Sequence, residues 1–201
     1  MKLTDLDIIV TAPPAPGWGG RYWILIKLTT DTGLIGWGEA YASSVGPNAM
    51  QAVIQDVFDR HFFNQNPENI EALFRTTYSS GFTQRPDLTV MGAFSGLEIA
   101  CWDILGKQRD RPVWGLLGGM VNEKLRAYSY LYPLQHHPED AFWSDADMAA
   151  ESAAALVNRG YTAVKFDPAG PYTQFGGHMP SQSDISRSVA FCEKIRAAVG
   201  D

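Results

Sequence analysis

The chain has 201 residues, a formal charge of −6 and an apolar fraction of 45%. That acidity, without any Lys/Arg cluster, argues against nucleic acid as a partner, and the apolar and aromatic content excludes global disorder. No apolar run approaches membrane-spanning length, and residues 1–7 lack the apolar core of a signal peptide, so a cytoplasmic protein that engages no membrane is expected.

The elements read as follows in chain order. Residues 6–11 form a short strand. Residues 12–20 are a Pro- and Gly-rich loop that carries Trp18. Residues 21–30 are strongly β-like, 31–33 turn, and 34–39 return as the second arm of a hairpin. Residues 41–47 form a second polar loop. Three helices follow. The first covers 48–60, with Met50, Val53, Ile54, Val57 and Phe58 on one stripe. The second opens with Asn66 as N-cap and Pro67 in first position, with Glu68 favoured by the helix dipole. The third, 88–107, aligns Gly92, Gly96 and Ala100, so that another element can approach closely, while Leu97, Cys101, Ile104 and Leu105 form its apolar face.

After Gly118 and Gly119 the pattern changes. Residues 125–132 read as a strand. Residues 146–158 read as a helix with Met148, Ala149, Ser152, Ala153, Leu156 and Val157 inward, ended by Gly160. Residues 161–166 form a buried strand and 185–199 a final helix. Strands followed by helices, then β-α-β-α, describe an α+β domain over 1–119 and the start of a parallel-sheet domain over 120–201. Two βα units cannot close a barrel or bury a parallel sheet on both faces, so the second domain is expected to be incomplete as written.

The strand at 161–166 carries the most chemistry. Side chains alternate along a strand, which places Ala163, Lys165 and Asp167 on one face and Val164 and Phe166 on the other. A lysine and an aspartate at the carboxyl end of a barrel strand occupy the position of catalytic groups. A lysine facing a barrel interior also needs a counter-charge or an anionic ligand. His178 lies in the following Gly/Pro-rich loop, 170–182, which would rim an active site. His136 and His137 read as part of a solvated loop, because two adjacent residues rarely face one ion. No His/Cys/carboxylate trio has metal-ligand spacing, and no metal ligand is assigned. Glu98 is expected to meet a backbone or basic partner. Cys101 and Cys192 both sit in apolar helical patterns and read as packed thiols. Trp18, Arg21, Tyr41 and Ser43 flank the two N-terminal loops. They suit either ordinary loop surface or a lid over a neighbouring site, with aromatics excluding water and Arg21 offered to an anion.

The stretch AFSGLEIACWDILGKQRDRPVWGLLGG at 93–119, with GWGEA upstream at 36–40, closely resembles the mandelate racemase/muconate lactonizing enzyme branch of the enolase superfamily. The resemblance implies an α+β capping domain followed by the first βα units of an incomplete (β/α) TIM-type barrel. It also implies abstraction of the proton α to a carboxylate, with Mg²⁺ at the barrel mouth stabilising the enediolate. In that family the second barrel strand ends in Lys-x-Lys, whose first lysine contacts the substrate carboxylate and whose second acts as a base. Lys165 matches the first, and Asp167 stands in place of the second. The missing base weakens a two-base racemase and favours a dehydratase acting on a sugar acid. The metal ligands, on the third to fifth strands, are then expected beyond Asp201. Lys165 and Asp167 are the catalytic candidates; Trp18, Arg21, Tyr41 and His178 are the substrate-binding candidates. A full-length homo-oligomer is expected, and a chain ending at Asp201 should be inactive alone. A cycloisomerase or racemase of the same family and a capping fragment without catalysis are the competing readings.

Overall fold

The structure is a computed structural model that describes residues 1–41, 45–167 and 180–201. The chain forms two units, Met1–Val121 and Asn122–Asp201, each with its own core. The architecture is the α+β unit expected from the sequence, followed by a parallel β-α-β-α segment that begins a barrel.

In the first unit, β1 (Leu3–Thr11), β2 (Trp23–Thr30) and β3 (Ile35–Ala40) form an antiparallel sheet in that order. The alternation of β2 turns Ile24, Ile26 and Leu28 into the core. Each such side chain contributes roughly 1.5–3 kcal/mol when fully buried. Their partners on β3 are Ala40, Gly38 and Gly36. Large residues on one strand thus face a strip of very small ones on the next. β1 starts three residues earlier than its pattern suggests, with a register shift between Leu3 and Asp5. Gly33 (φ 81°) makes the turn of the β2–β3 hairpin, where the positive φ favours glycine.

Helix α1 (Pro47–Val57) buries Met50, Ile54 and Val57 and continues as a π-helical turn over Phe58–Phe62. Helix α2 (Ile70–Ser80) begins at Ile70 rather than at Pro67. The Asn66 side chain does accept the Glu68 N–H (3.1 Å), but the Asn66 carbonyl accepts the Asn69 N–H. A separate turn closes there before the helix starts. Helix α3 (Leu88–Gln108) is capped by Asp87, whose carboxylate accepts the Thr89 and Val90 N–H groups. By length and composition it could cross a bilayer, which the sequence reading did not anticipate. Its Ala93, Gly96, Leu97, Ala100 and Ile104 are buried in the core of the first unit, which explains the apolar character. A short turn, α4 (Val113–Leu116), follows.

In the second unit, β4 (Ser129–Tyr130) leads through the short α5 (Glu139–Phe142) to α6 (Ala146–Asn158), then β5 (Val164–Lys165) and α7 (Gln182–Val199). β4 and β5 pair in parallel, Ser129 opposite Val164 and Tyr130 opposite Lys165. Both strands are far shorter than the sequence suggests, and Leu125 lies exposed. Among the described residues this sheet has two strands, so each has a single ladder to hold it extended. Helix α6 has the predicted bounds and is capped by Asp145. Its Val157, expected inside, is exposed. The core consists of Leu131, Phe142, Ala149, Ala150, Ala153, Leu156, Phe191 and Ile195. Cys192 is exposed, against expectation: the buried stripe of α7 runs through Phe191 and Ile195 and leaves it outside.

Candidate active site

The register of β4 and β5 is fixed from both ends. The Leu131 N–H donates to the Lys165 carbonyl (2.9 Å). Upstream, the Arg126 guanidinium donates through Nε to Thr162 Oγ1 (2.9 Å) and through Nη2 to the Thr162 carbonyl. Val164 and Phe166 pack against the second core, while Lys165 and Asp167 are exposed. The two-residue alternation therefore puts the lysine and the aspartate on the face away from the helices.

Lys165 is held by aromatic rings and not by a direct ion pair with Asp167. Its ammonium lies 4.6 Å from the centroid of Tyr130 and 5.8 Å from that of Tyr128, within cation–π range. Its pKa is raised, first by hydrogen bonding to the Tyr130 side chain and then by the charges of Tyr130, Tyr128 and Asp167. The lysine is a cation at neutral pH as any ordinary lysine is, and a cation is the form that receives a carboxylate. Sequence reasoning missed these tyrosines. Their signal is the alternation Tyr128, Tyr130, Tyr132 through β4 and its two flanks, a period that stacks aromatics on one face of an extended chain; the rings of Tyr130 and Tyr132 lie 6.1 Å apart.

In the first unit the antiparallel register brings two loops to one end of the sheet. Thr11 pairs with Trp23, and Ile24 pairs with Ala40. The 12–22 loop, bearing Trp18 and Arg21, and the segment starting at Tyr41 therefore leave the same edge. Tyr22 links them: its hydroxyl donates to the Val45 carbonyl (3.4 Å). Arg21 and Tyr41 are exposed and Trp18 is half-buried. A shallow groove elsewhere in this unit is lined by Trp37, Glu98, Ile99, Trp102 and Leu117, and none of the three loop candidates lines it. Glu98 accepts the Trp102 indole N–H (2.5 Å) and not a backbone or basic group. Ser43 and His178 lie outside the described residues.

The His136–His137 segment differs most from the sequence reading. His137 has a side chain only 3% exposed, stacked on Phe142. Both imidazoles reach Glu151 of α6: His136 Nε2 to Oε1 at 3.2 Å, and His137 Nε2 to Oε2 at 2.9 Å. Hydrogen bonding from His137, with the charges of both rings, lowers the Glu151 pKa. The trio was invisible in the sequence because its acid lies 14 residues away on a helix. Its imidazole-rich donor set does not suit Mg²⁺, which prefers oxygen ligands. It therefore does not supply the Mg²⁺ site that the resemblance implies.

Comparisons with known proteins agree with this architecture. Residues 19–118 match the family model described as mandelate racemase/muconate lactonizing enzyme, N-terminal domain. The chain belongs to this family, within the enolase superfamily. It is 31% identical over 182 residues to D-galactonate dehydratase of Klebsiella pneumoniae, covering 89% of this chain and 42% of that protein. A mandelate racemase/muconate lactonizing enzyme-like protein from Roseovarius sp. superposes with a TM-score of 0.95 at 76% identity, over 100% of this chain and 51% of that one. An enolase superfamily member from Salmonella Typhimurium superposes with a TM-score of 0.83 at 26% identity, over 100% of this chain and 52% of that one. The chain thus spans about half the length of the relatives it matches.

Proposed function

We propose that this chain provides the cap and first barrel strands of a Mg²⁺-dependent sugar-acid dehydratase. The observation that carries the reading is the Lys165–Asp167 pair at the end of β5, with an acid where a racemase of this family would carry a second lysine. The similarity to D-galactonate dehydratase supports it. Lys165, a cation beside Tyr130, binds the substrate carboxylate. Asp167 accepts the hydroxyls of a polyhydroxy acid. Trp18, Arg21 and Tyr41 sit on the cap's loops, where they would exclude water and offer a charge to the anion; His178 would contribute from the loop after β5.

In the reaction, a base removes the proton α to the carboxylate and the β-hydroxyl departs as water. The resulting enol tautomerises to a 2-keto-3-deoxy acid. Mg²⁺, when bound, supplies positive charge at the substrate carboxylate as the α-carbon loses its proton. Its ligands and the general base are expected on strands after β5, past Asp201. A cytoplasmic homo-oligomer is proposed for the full-length enzyme.

The test is a screen of sugar acids with full-length enzyme and Mg²⁺, reading 2-keto-3-deoxy product and substrate mass. Loss of one water from a sugar acid, abolished in Lys165→Met, is the expected result. A product isomeric with its substrate would replace dehydration by racemisation or cycloisomerisation.

A further inference from the structure

We propose that His136, His137 and Glu151 form a binding site for a borderline transition-metal dication of the Zn²⁺ class, separate from the Mg²⁺ chemistry of the family. The inference is independent of the dehydratase reading.

Three donors of the right kind converge. One nitrogen from each imidazole and one carboxylate oxygen all lie within 4.8 Å of one another. The nitrogen–oxygen separations, 3.2 Å from His136 Nε2 to Oε1 and 2.9 Å from His137 Nε2 to Oε2, run to the two oxygens of the same carboxylate, and each is close to the roughly 3.3 Å between ligands that stand about 2.0–2.1 Å from a tetrahedral ion. Two imidazoles and a carboxylate are a donor set for Zn²⁺, Co²⁺ or Ni²⁺, not for Mg²⁺ or Ca²⁺. Three protein ligands leave a fourth position for water.

The elements hold the donors in place. His137 is fixed by burial against Phe142, and Phe142 is itself one of the core residues of the unit. Glu151 sits on α6, whose start is pinned by its Asp145 cap. His136 remains exposed, so an ion can enter from solvent.

The tautomer of His137 makes the proposal specific. The Leu134 N–H donates to His137 Nδ1 at 3.2 Å. Without an ion, the ring proton of neutral His137 must therefore sit on Nε2, where it is shared with Glu151. An ion on Nε2 takes that lone pair, so the proton moves to Nδ1 and the Leu134 N–H loses its acceptor. Binding through Nε2 would therefore cost this hydrogen bond, which makes the Leu134 amide a reporter of the ion. Metal binding would then tie the loop after β4 to α6 through the ion.

The experiment titrates the untagged 201-residue chain with Zn²⁺ against a chromophoric chelator, with melting curves taken in Zn²⁺, in Mg²⁺ and in EDTA. His136→Gln and Glu151→Gln alter exposed side chains, 64% and 55% accessible, and should leave the fold intact. The expected result is one saturable Zn²⁺ equivalent, a melting temperature raised by Zn²⁺ and not by Mg²⁺, and loss of both effects in each variant. Affinity should fall more than about 100-fold, beyond the usual loss when only a ligand's supporting hydrogen bond is removed. In amide NMR the Leu134 resonance should shift on Zn²⁺ addition. A Cys192→Ser/His178→Gln double variant should bind as the parent does. No saturable equivalent, undiminished binding in Glu151→Gln, or binding lost in the double variant would each overturn the proposal and leave the trio as an ion-free imidazole–carboxylate clasp.

Discussion

Gly38 of β3 lies so close to α3 that a Cβ on it would overlap the backbone carbonyl oxygen of Gly96. Gly96 is as tightly enclosed, by other residues of the sheet. A Cβ on Gly96 would stand 2.6 Å from Ile26 Cδ1 and 2.9 Å from Ala40 Cβ. One register step away, Gly36 meets the Ala100 carbonyl in the same manner. The small residues of GWGEA and those of the long helix are therefore two halves of one packing solution.

Substitution at these glycines should separate backbone clashes from side-chain clashes. Gly38→Ala drives a methyl into main chain that cannot turn aside, and should destabilise by about 3 kcal/mol or more, the upper range for overpacking. Gly96→Ala meets the movable end of Ile26 and, less closely than at Gly38, the fixed Cβ and N of Ala40; it also gains roughly 1 kcal/mol of helix propensity, so its net loss should be smaller. Gly46→Ala meets nothing within 4 Å and should cost no more than about 1 kcal/mol, the N-cap preference of α1 for Gly over Ala. Urea unfolding of the three variants checks the order; equal losses at Gly38 and Gly46 would contradict the close packing.

Asp103 and Lys107, one turn apart on α3, close the outer edge of β3. The Trp37 N–H donates to Asp103 Oδ2 (2.8 Å), and the Lys107 ammonium donates both to that oxygen and to the Ile35 carbonyl (2.7 Å each). An edge strand otherwise presents unpaired main-chain groups. Asp103→Ala should cost roughly 1–2 kcal/mol, because water replaces part of what is lost. Asp103→Asn keeps an acceptor for Trp37 and should cost less. Amide exchange at Trp37 should accelerate in the alanine variant and change little in the asparagine variant.

Much of this packing is legible in the sequence. Small residues at i, i+4 and i+8 on a helix, and at i, i+2 and i+4 on a strand, announce close approach whatever the partner. The hairpin, the α6 bounds and the parallel β4–β5 order follow from period and turn residues alone. What periodicity does not carry is pairing between distant side chains. Nothing in residues 134–138 indicates that Glu151 will arrive beneath two imidazoles, whereas the Glu98–Trp102 bond joins side chains four residues apart on α3 and was within reach of helical period. The strand lengths in the second unit fail for a related reason. Propensity speaks for an extended chain, but only neighbouring strands hold it extended, and among the described residues this sheet has two. The faces of Lys165 and Asp167 were readable because alternation is local; the tyrosines near Lys165 were missed because they come from β4 and the residue just before it, far away in sequence.

The two cysteines should differ sharply in reactivity. Burial, with a smaller contribution from the Glu98 charge, pushes the Cys101 thiol up to about 12, and Cys192 lies exposed on α7. At pH ~8, not far from the ordinary cysteine pKa, a disulfide-exchange reagent should modify one thiol per native chain quickly and the second only on unfolding. Cys192→Ser should abolish the fast phase. Two fast thiols in the native protein would contradict the burial of Cys101.

Helix α7 should carry an acid-sensitive start. Ser181 and Asp184 form a reciprocal capping box: the Asp184 N–H donates to Ser181 Oγ (3.2 Å), and the Ser181 N–H and hydroxyl donate to Asp184 Oδ2 (3.1 and 2.6 Å). Hydrogen bonding from the Ser181 side chain, then from its backbone, holds the Asp184 carboxyl below its ordinary 3.8, with Arg187 adding a favourable charge. A carboxyl depressed in the folded state stabilises it above the unfolded-state pKa, and that contribution is lost as the pH falls through the folded-state value. Wild type should therefore lose stability relative to Asp184→Asn as acid is added below about pH 4. Ser181→Ala removes the leading cause of the shift and should flatten the same profile without touching the aspartate. Urea titrations of the three proteins between about pH 6 and 2.5, followed by helical circular dichroism, provide the measurement; parallel profiles for wild type and Asp184→Asn would show that the box adds no pH-dependent stability to α7.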